Sequence, residues 1–179
     1  MPRQIALLRG INLGARNRVS MPELRELLEG LGHEDVRTLL QSGNVVLTST
    51  ASAKKVAREC ERLIADRFGL EIGVVARTRS ELAKVVDRNP LKRVAKDPKR
   101  YQVSFLETKP SAKIVRELED VAADNEEVVS IGREIYAWHP AGVARSKLWA
   151  KLAGKNLGVT ATARNWTTVA KLLELADAD

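Results

Sequence analysis

Four short segments hold most of the residues able to do chemistry. Residues 9–12 place Arg9, Gly10 and Asn12 together, and Arg16 and Arg18 follow closely. Ser42, Gly43 and Asn44 form a second group, Ser146 and Lys147 a third, and Arg164 and Asn165 a fourth, just before Trp166. These residue types suit anion binding. An arginine holds a phosphate or carboxylate through two parallel hydrogen bonds, and a glycine-containing loop lets backbone N–H groups come close. Catalysis is harder to see. Two histidines, His33 and His139, and one cysteine, Cys60, leave little material for a zinc site or a histidine relay. No nucleophile stands at a diagnostic spacing from a base, so catalytic residues stay unknown, and no metal or cofactor is expected. Residues 10–14 match neither the dinucleotide-binding nor the P-loop pattern.

The elements that must position these residues alternate apolar strands with amphipathic helices. Residues 4–8 are apolar on both faces, as a central strand would be. Ser20 and Glu23 have capping-box spacing, and Met21, Leu24, Leu27, Leu28 and Leu31 predict the buried stripe of a helix. Residues 36–40 and 45–48 predict strands flanking a hairpin loop at 41–44. Val56, Cys60, Leu63, Ile64 and Phe68 predict a second helix that Gly69 closes, and residues 71–76 a fourth strand. The order β-α-β-β-α-β is the split βαβ, or ferredoxin-like, pattern. After a short helix over 80–86 and a basic stretch over 88–100, the second half repeats that order, with strands at 101–106, 128–131, 134–138 and 157–161. Its helices lie near 114–121 and 145–152, and one more follows the last strand. The predicted fold is therefore α+β, with two ferredoxin-like (βαββαβ) subdomains in tandem, mostly antiparallel sheets with helices on one face. The divisions fall at 1–77, 78–100 and 101–179.

That topology converts scattered polar residues into a cluster. The end of the first strand lies beside the hairpin joining strands two and three, so Arg9, Gly10 and Asn12 should meet Ser42, Gly43 and Asn44. The first helix begins at the same end, with its partial positive charge. In the last segment, Thr162 is read as the cap of the final helix, with Arg164 and Asn165 in its first turn. A cation there calls for a carboxylate or bound anion to offset it. Each group has a plainer reading as a well-tied loop, a solvated arginine or, for Trp166, core.

Composition narrows the partners. The chain has 179 residues and a net charge of +7, yet only 4% of it is aromatic. The excess is uneven: residues 51–109 carry +7, and residues 110–139 carry −4. Lys147, Lys151 and Lys155 recur every four residues on one predicted helix face. This leaves nucleic acid as an alternative partner, weakened by the scarcity of stacking aromatics. No run is long and apolar enough for a membrane span, so no membrane partner is expected. A single cysteine and no leader segment point to a reducing, cytoplasmic setting.

Five spaced motifs together resemble a bacterial family, domain of unknown function 1697. They are Leu7-Leu8-Arg9-Gly10-Ile11-Asn12, Gln41-Ser42-Gly43-Asn44-Val45, residues 101–106 (YQVSFL), Ser146-Lys147-Leu148 and residues 162–169 (TARNWTTV). The resemblance covers nearly the whole chain in order. It implies an α+β fold of two ferredoxin-like subdomains and supplies no catalytic assignment. The chain departs from the family's pattern at Gly14-Ala15, where a glycine pair is usual, and at Ala163, where threonine is common. The combined expectation is a binding protein with a polar site between lobes for a small phosphate- or nucleotide-like anion. That site would be built from Arg9, Gly10, Asn12, Arg16, Ser42, Gly43, Asn44, Ser146, Lys147, Arg164 and Asn165. Purely structural motifs are the other alternative, and oligomeric state is not readable.

Overall fold

A strand with four consecutive apolar residues, Ile5 to Leu8, has to be covered on both faces, and the first strand here is. The computed structural model describes residues 1–179. Its first elements are β1 (Arg3–Leu8), α1 (Met21–Gly30), β2 (Glu34–Leu39), β3 (Asn44–Thr48), α2 (Ala53–Phe68), β4 (Val74–Thr78) and α3 (Arg79–Arg88). They are followed by β5 (Tyr101–Leu106), α4 (Ala112–Val121), β6 (Glu127–Ile131), β7 (Glu134–Trp138), α5 (Lys147–Ala153), β8 (Ala161–Asn165) and α6 (Trp166–Asp177). The chain is thus α+β, with six helices and two four-stranded antiparallel sheets of order β2-β3-β1-β4 and β6-β7-β5-β8. It divides into two compact units, one of Met1–Lys84 with Leu172–Asp179 and one of Val85–Lys171.

In the first unit, Ala6 and Leu8 of β1 pack with Val45, Leu47, Val74 and Ala76 under α1 and α2. The alternate side chains Ile5, Leu7, Val46 and Val75 are also buried. Sheet periodicity sends successive residues to opposite faces, so both sets must be apolar. Helix ends follow local chemistry. Ser20 accepts from the Glu23 N–H at 3.3 Å, Ser52 caps α2, and Gly69 closes α2 in the left-handed region at φ 66°. Thr78 and Glu81 exchange the two bonds of a capping box at the start of α3. Leu31 departs from the expected buried stripe: α1 stops at Gly30, and Leu31 is left 43% exposed. The fourth strand begins later than the apolar run suggests, at Val74, where pairing with Leu8 starts.

The second unit packs Leu106, Ile135, Ala137 and Ala161 of its sheet against Leu118 of α4 and Leu148 and Leu152 of α5. Its last strand corrects the expectation from sequence. The strand is Ala161–Asn165 rather than 157–161, paired with β5 from Leu106↔Ala161 to Gln102↔Asn165. Arg164 therefore sits in a strand, and Asn165, not Thr162, caps the final helix, accepting from the Thr168 N–H at 2.9 Å. Both residues have cap spacing; the sheet ladder decided between them. Arg164 thus directly precedes the cap instead of standing in the first turn.

Register also uncovers an internal correspondence. Gln4-Ile5 of β1 stand opposite Thr78 and Arg77, and Gln102-Val103 of β5 stand opposite Asn165 and Arg164. Ala-Arg-Thr and Ala-Arg-Asn thus occupy equivalent places, each ending in the residue that caps the next helix. Both arginines are buried, and each donates to the carbonyl of the alanine before it, at 3.0 Å and 2.8 Å.

Cys60 lies wholly inside the first unit. Burial, reinforced by Glu59 and Glu61, pushes its thiol up to about 12. Because the thiolate is the reactive form, Ellman's reagent at pH 8 should leave the folded chain unlabelled and titrate one thiol after denaturation. Rapid labelling of the folded chain would contradict this burial.

Candidate functional site

The end of β1 meets the β2–β3 turn as expected, and Asn12 and Asn44 turn their amides onto backbone carbonyls while Arg16 and Ser42 stay exposed. Leu8 N–H donates to Gly43 O at 2.9 Å, joining the end of β1 to the β2–β3 turn. Asn12 is the pin of the long loop: its side-chain amide donates to Val19 O at 2.9 Å and Gln41 O at 2.7 Å, and its oxygen accepts from the Val19 N–H at 2.9 Å. Asn44 is fully buried and donates to Leu39 O at 2.7 Å and to Ser42 Oγ at 3.2 Å. Gly10 O accepts from Asn17 Nδ2 at 2.9 Å, and Arg9 N–H donates to Gly73 O at 2.9 Å. Arg9 is half-buried, whereas Arg16 is exposed on the turn it closes with Leu13. The start of α1 already carries a carboxylate, Glu23, ion-paired with Arg67. Donors that a bound anion would use are thus largely committed to the loop itself.

Ser146 and Lys147 belong to the second unit and line a pocket of about 710 Å³. Val121, Ala123, Ala141 and Ala144 supply apolar walls, and Asn125, Glu126 and Arg145 supply further polar groups. Below this surface lies a cluster that the sequence did not reveal. Glu126 Oε2 accepts from Ser146 Oγ–H at 2.6 Å and lies 2.5 Å from His139 Nδ1. Glu126 Oε1 accepts from the Ala123 N–H at 3.1 Å. Ser146 Oγ in turn accepts from the Trp149 N–H at 3.0 Å, capping α5. His139 is fully buried and meets Trp149 edge to face, with ring centroids 5.9 Å apart. Burial pushes the Glu126 carboxyl up, but the bonds from Ser146, His139 and Ala123 outweigh it and hold the group below the ordinary glutamate range.

Serine, histidine and glutamate in contact suggest a hydrolase, but the connectivity is that of a structural knot. A nucleophile–base–acid relay needs the serine on one ring nitrogen and the acid on the other. Here Ser146 and Glu126 both face Nδ1, with Oγ 3.3 Å away, and Nε2 is buried with no hydrogen-bond partner. The serine proton points to a carboxylate whose lowered pKa makes it a weak base. Glu126 precedes β6, His139 follows β7 and Ser146 caps α5, so the fold unites them, not one helix or strand. The sequence singled out Ser146 and offered His139 as one of two histidines, but nothing in it joined either to Glu126.

Arg164 is 8% exposed and donates through Nη1 to Thr162 Oγ1 at 2.7 Å and to Ala163 O at 2.8 Å. Burial lowers its pKa to about 10, so it stays a cation at neutral pH. Asn165 is spent on capping. Trp166 is half-buried, not fully core, and stacks on Tyr101 at 4.9 Å and 17°. The predicted lysine stripe is shortened: α5 ends at Ala153, which leaves Lys155 off the helix, and Lys151 is 2.8 Å from Glu117. Arg9, Gly10, Asn12, Arg16, Ser42, Gly43 and Asn44 belong to the first unit, and Ser146, Lys147, Arg164 and Asn165 to the second. No helix is long and apolar enough to cross a membrane.

A family model described as "Protein of unknown function (DUF1697)" matches residues 1–136. Among solved structures, the conserved bacterial protein SP0830 from Streptococcus pneumoniae is similar, with 23% identity and a TM-score of 0.80 over 98% of each chain. That likeness concerns the fold. No curated protein matches.

Proposed function

The chain belongs to this DUF1697 family, and from that premise we propose that it binds a small anionic molecule in the pocket of the second unit. The carrying observation is the division of labour in the pocket wall. Glu126 and Ser146 are consumed by bonds to each other, to His139 and to backbone N–H groups. Arg145 and Lys147, both exposed, remain as the charged groups to meet a ligand. A volume of about 710 Å³ falls within the range of small-molecule sites. The alanine and valine wall favours a ligand with an apolar or flat body beside its phosphate or carboxylate. This reading keeps Ser146 and Lys147 of the expected set, the serine as the residue that shapes the rim and the lysine as the contact. The strand order of each sheet supports reading both units as ferredoxin-like lobes.

A thermal-shift screen of nucleotides, sugar phosphates and small carboxylates tests the proposal. A ligand at 100 times its Kd adds about 2.7 kcal/mol of stability, and Arg145→Ala with Lys147→Ala should remove that gain without lowering the unliganded melting temperature. A screen in which nothing shifts the chain, or a shift that survives in the double variant, rejects this site.

A further inference from the structure

We infer that the loop end of the first unit's sheet is a docking tip for an anionic membrane surface. Two leucines are exposed there, Leu13 to 65% and Leu40 to 56%. They lie on different turns, but the Asn12 bond to Gln41 O ties the neighbour of one to the neighbour of the other. A single exposed leucine is ordinary. A pair on joined turns is less so, and Leu40 is moreover held at φ 62°, a region that favours glycine or asparagine over a bulky side chain. A water-facing leucine in that conformation contributes nothing to the core, so its use is sought outside the fold.

The surroundings set the charge of the partner. Arg16 and Arg18, both exposed, stand on the same loop as Leu13, and the whole chain carries +7. Asn12 N–H donates to Asn17 O, and Asn17 Nδ2 to Gly10 O, each at 2.9 Å, so the arginine-bearing return of the loop is held stiffly against its base. A rigid tip loses little freedom on docking. Leucines add nothing to phosphate contacts along a nucleic acid, and protruding turns offer no groove for a peptide. A bilayer uses both features: the leucines enter the acyl boundary, and the arginines meet headgroup phosphates. This association is peripheral and needs no membrane-spanning run, so it goes beyond the expectation of no membrane partner, and it rests on residues of the first unit alone.

The test is co-sedimentation of the full chain with vesicles of phosphatidylcholine alone and with about 30% phosphatidylglycerol added. Binding to the anionic vesicles should exceed that to the neutral ones by about tenfold and fall as salt rises. Leu13→Ser with Leu40→Asn should reduce it by about tenfold, and so should Arg16→Ser with Arg18→Ser. Melting temperatures confirm the fold of each variant. If the leucine pair lowers that of the chain, Leu40→Gly, which relieves the backbone, replaces it. Absence of binding, equal binding to both vesicles, or full binding by the leucine variant overturns the inference, the last because charge alone would then explain it.

Discussion

Gly43→Ala should destabilise the chain by about 3 kcal/mol, combining a steric and a backbone cost. Gly43 holds φ at 93°, and a Cβ there would lie 2.7 Å from Leu8 Cβ and 2.8 Å from Ile11 Cδ1. Leu8 and Ile11 are themselves buried, so neither has room to retreat. For a chain of this size the midpoint of thermal unfolding should drop by roughly 6–12 °C. Gly10→Ala is the control. Gly10 has φ 62°, but a Cβ added there would meet nothing within 4 Å, so only the conformational cost of about 1 kcal/mol applies. Equal losses in the two variants would show that the close approach of Leu8 and Ile11 is not what requires glycine at 43.

Glu126→Ala should cost about 3 kcal/mol, because it strands donors rather than merely deleting a contact. Ser146 Oγ–H, His139 Nδ1 and the Ala123 N–H would all lose their acceptor in a place where the Glu126 side chain is only 6% exposed. The effect has a pH signature. The carboxyl's folded-state pKa lies below its ordinary value, so its contribution is fully present above about 4.3. It is lost as pH falls through the lower, folded value. The gap between wild type and variant in urea midpoints should therefore shrink as pH falls below about 4. A gap that widens in acid would show that the group is not held ionised by its neighbours. Circular dichroism should register the same loss through α5, whose cap is Ser146.

Much of the architecture was legible in local pattern. Ser20 with Glu23, Thr78 with Glu81, and Gly69 are short-range signals, and each stands where the structure ends or starts an element. The joining of Arg9, Gly10 and Asn12 to Ser42, Gly43 and Asn44 followed from element order. Their proximity was foreseeable; their use was not. Asn12 and Asn44 spend their amides on backbone carbonyls, a matter of ångström-scale geometry.

By itself, then, the sequence determined the order and type of the elements, the two-sided burial of β1 and the meeting of its end with the first hairpin. These depend on periodicities of two and 3.6 residues and on cap and turn chemistry within four residues. Tertiary structure alone decided the rest. It placed Arg164 in β8 instead of the helix's first turn, because the ladder with β5 runs on to Asn165, which then caps the helix. It also brought Glu126, His139 and Ser146 onto one hydrogen-bonded knot beside a pocket. Glu126 precedes β6, His139 follows β7 and Ser146 caps α5, so the three meet only when those elements pack.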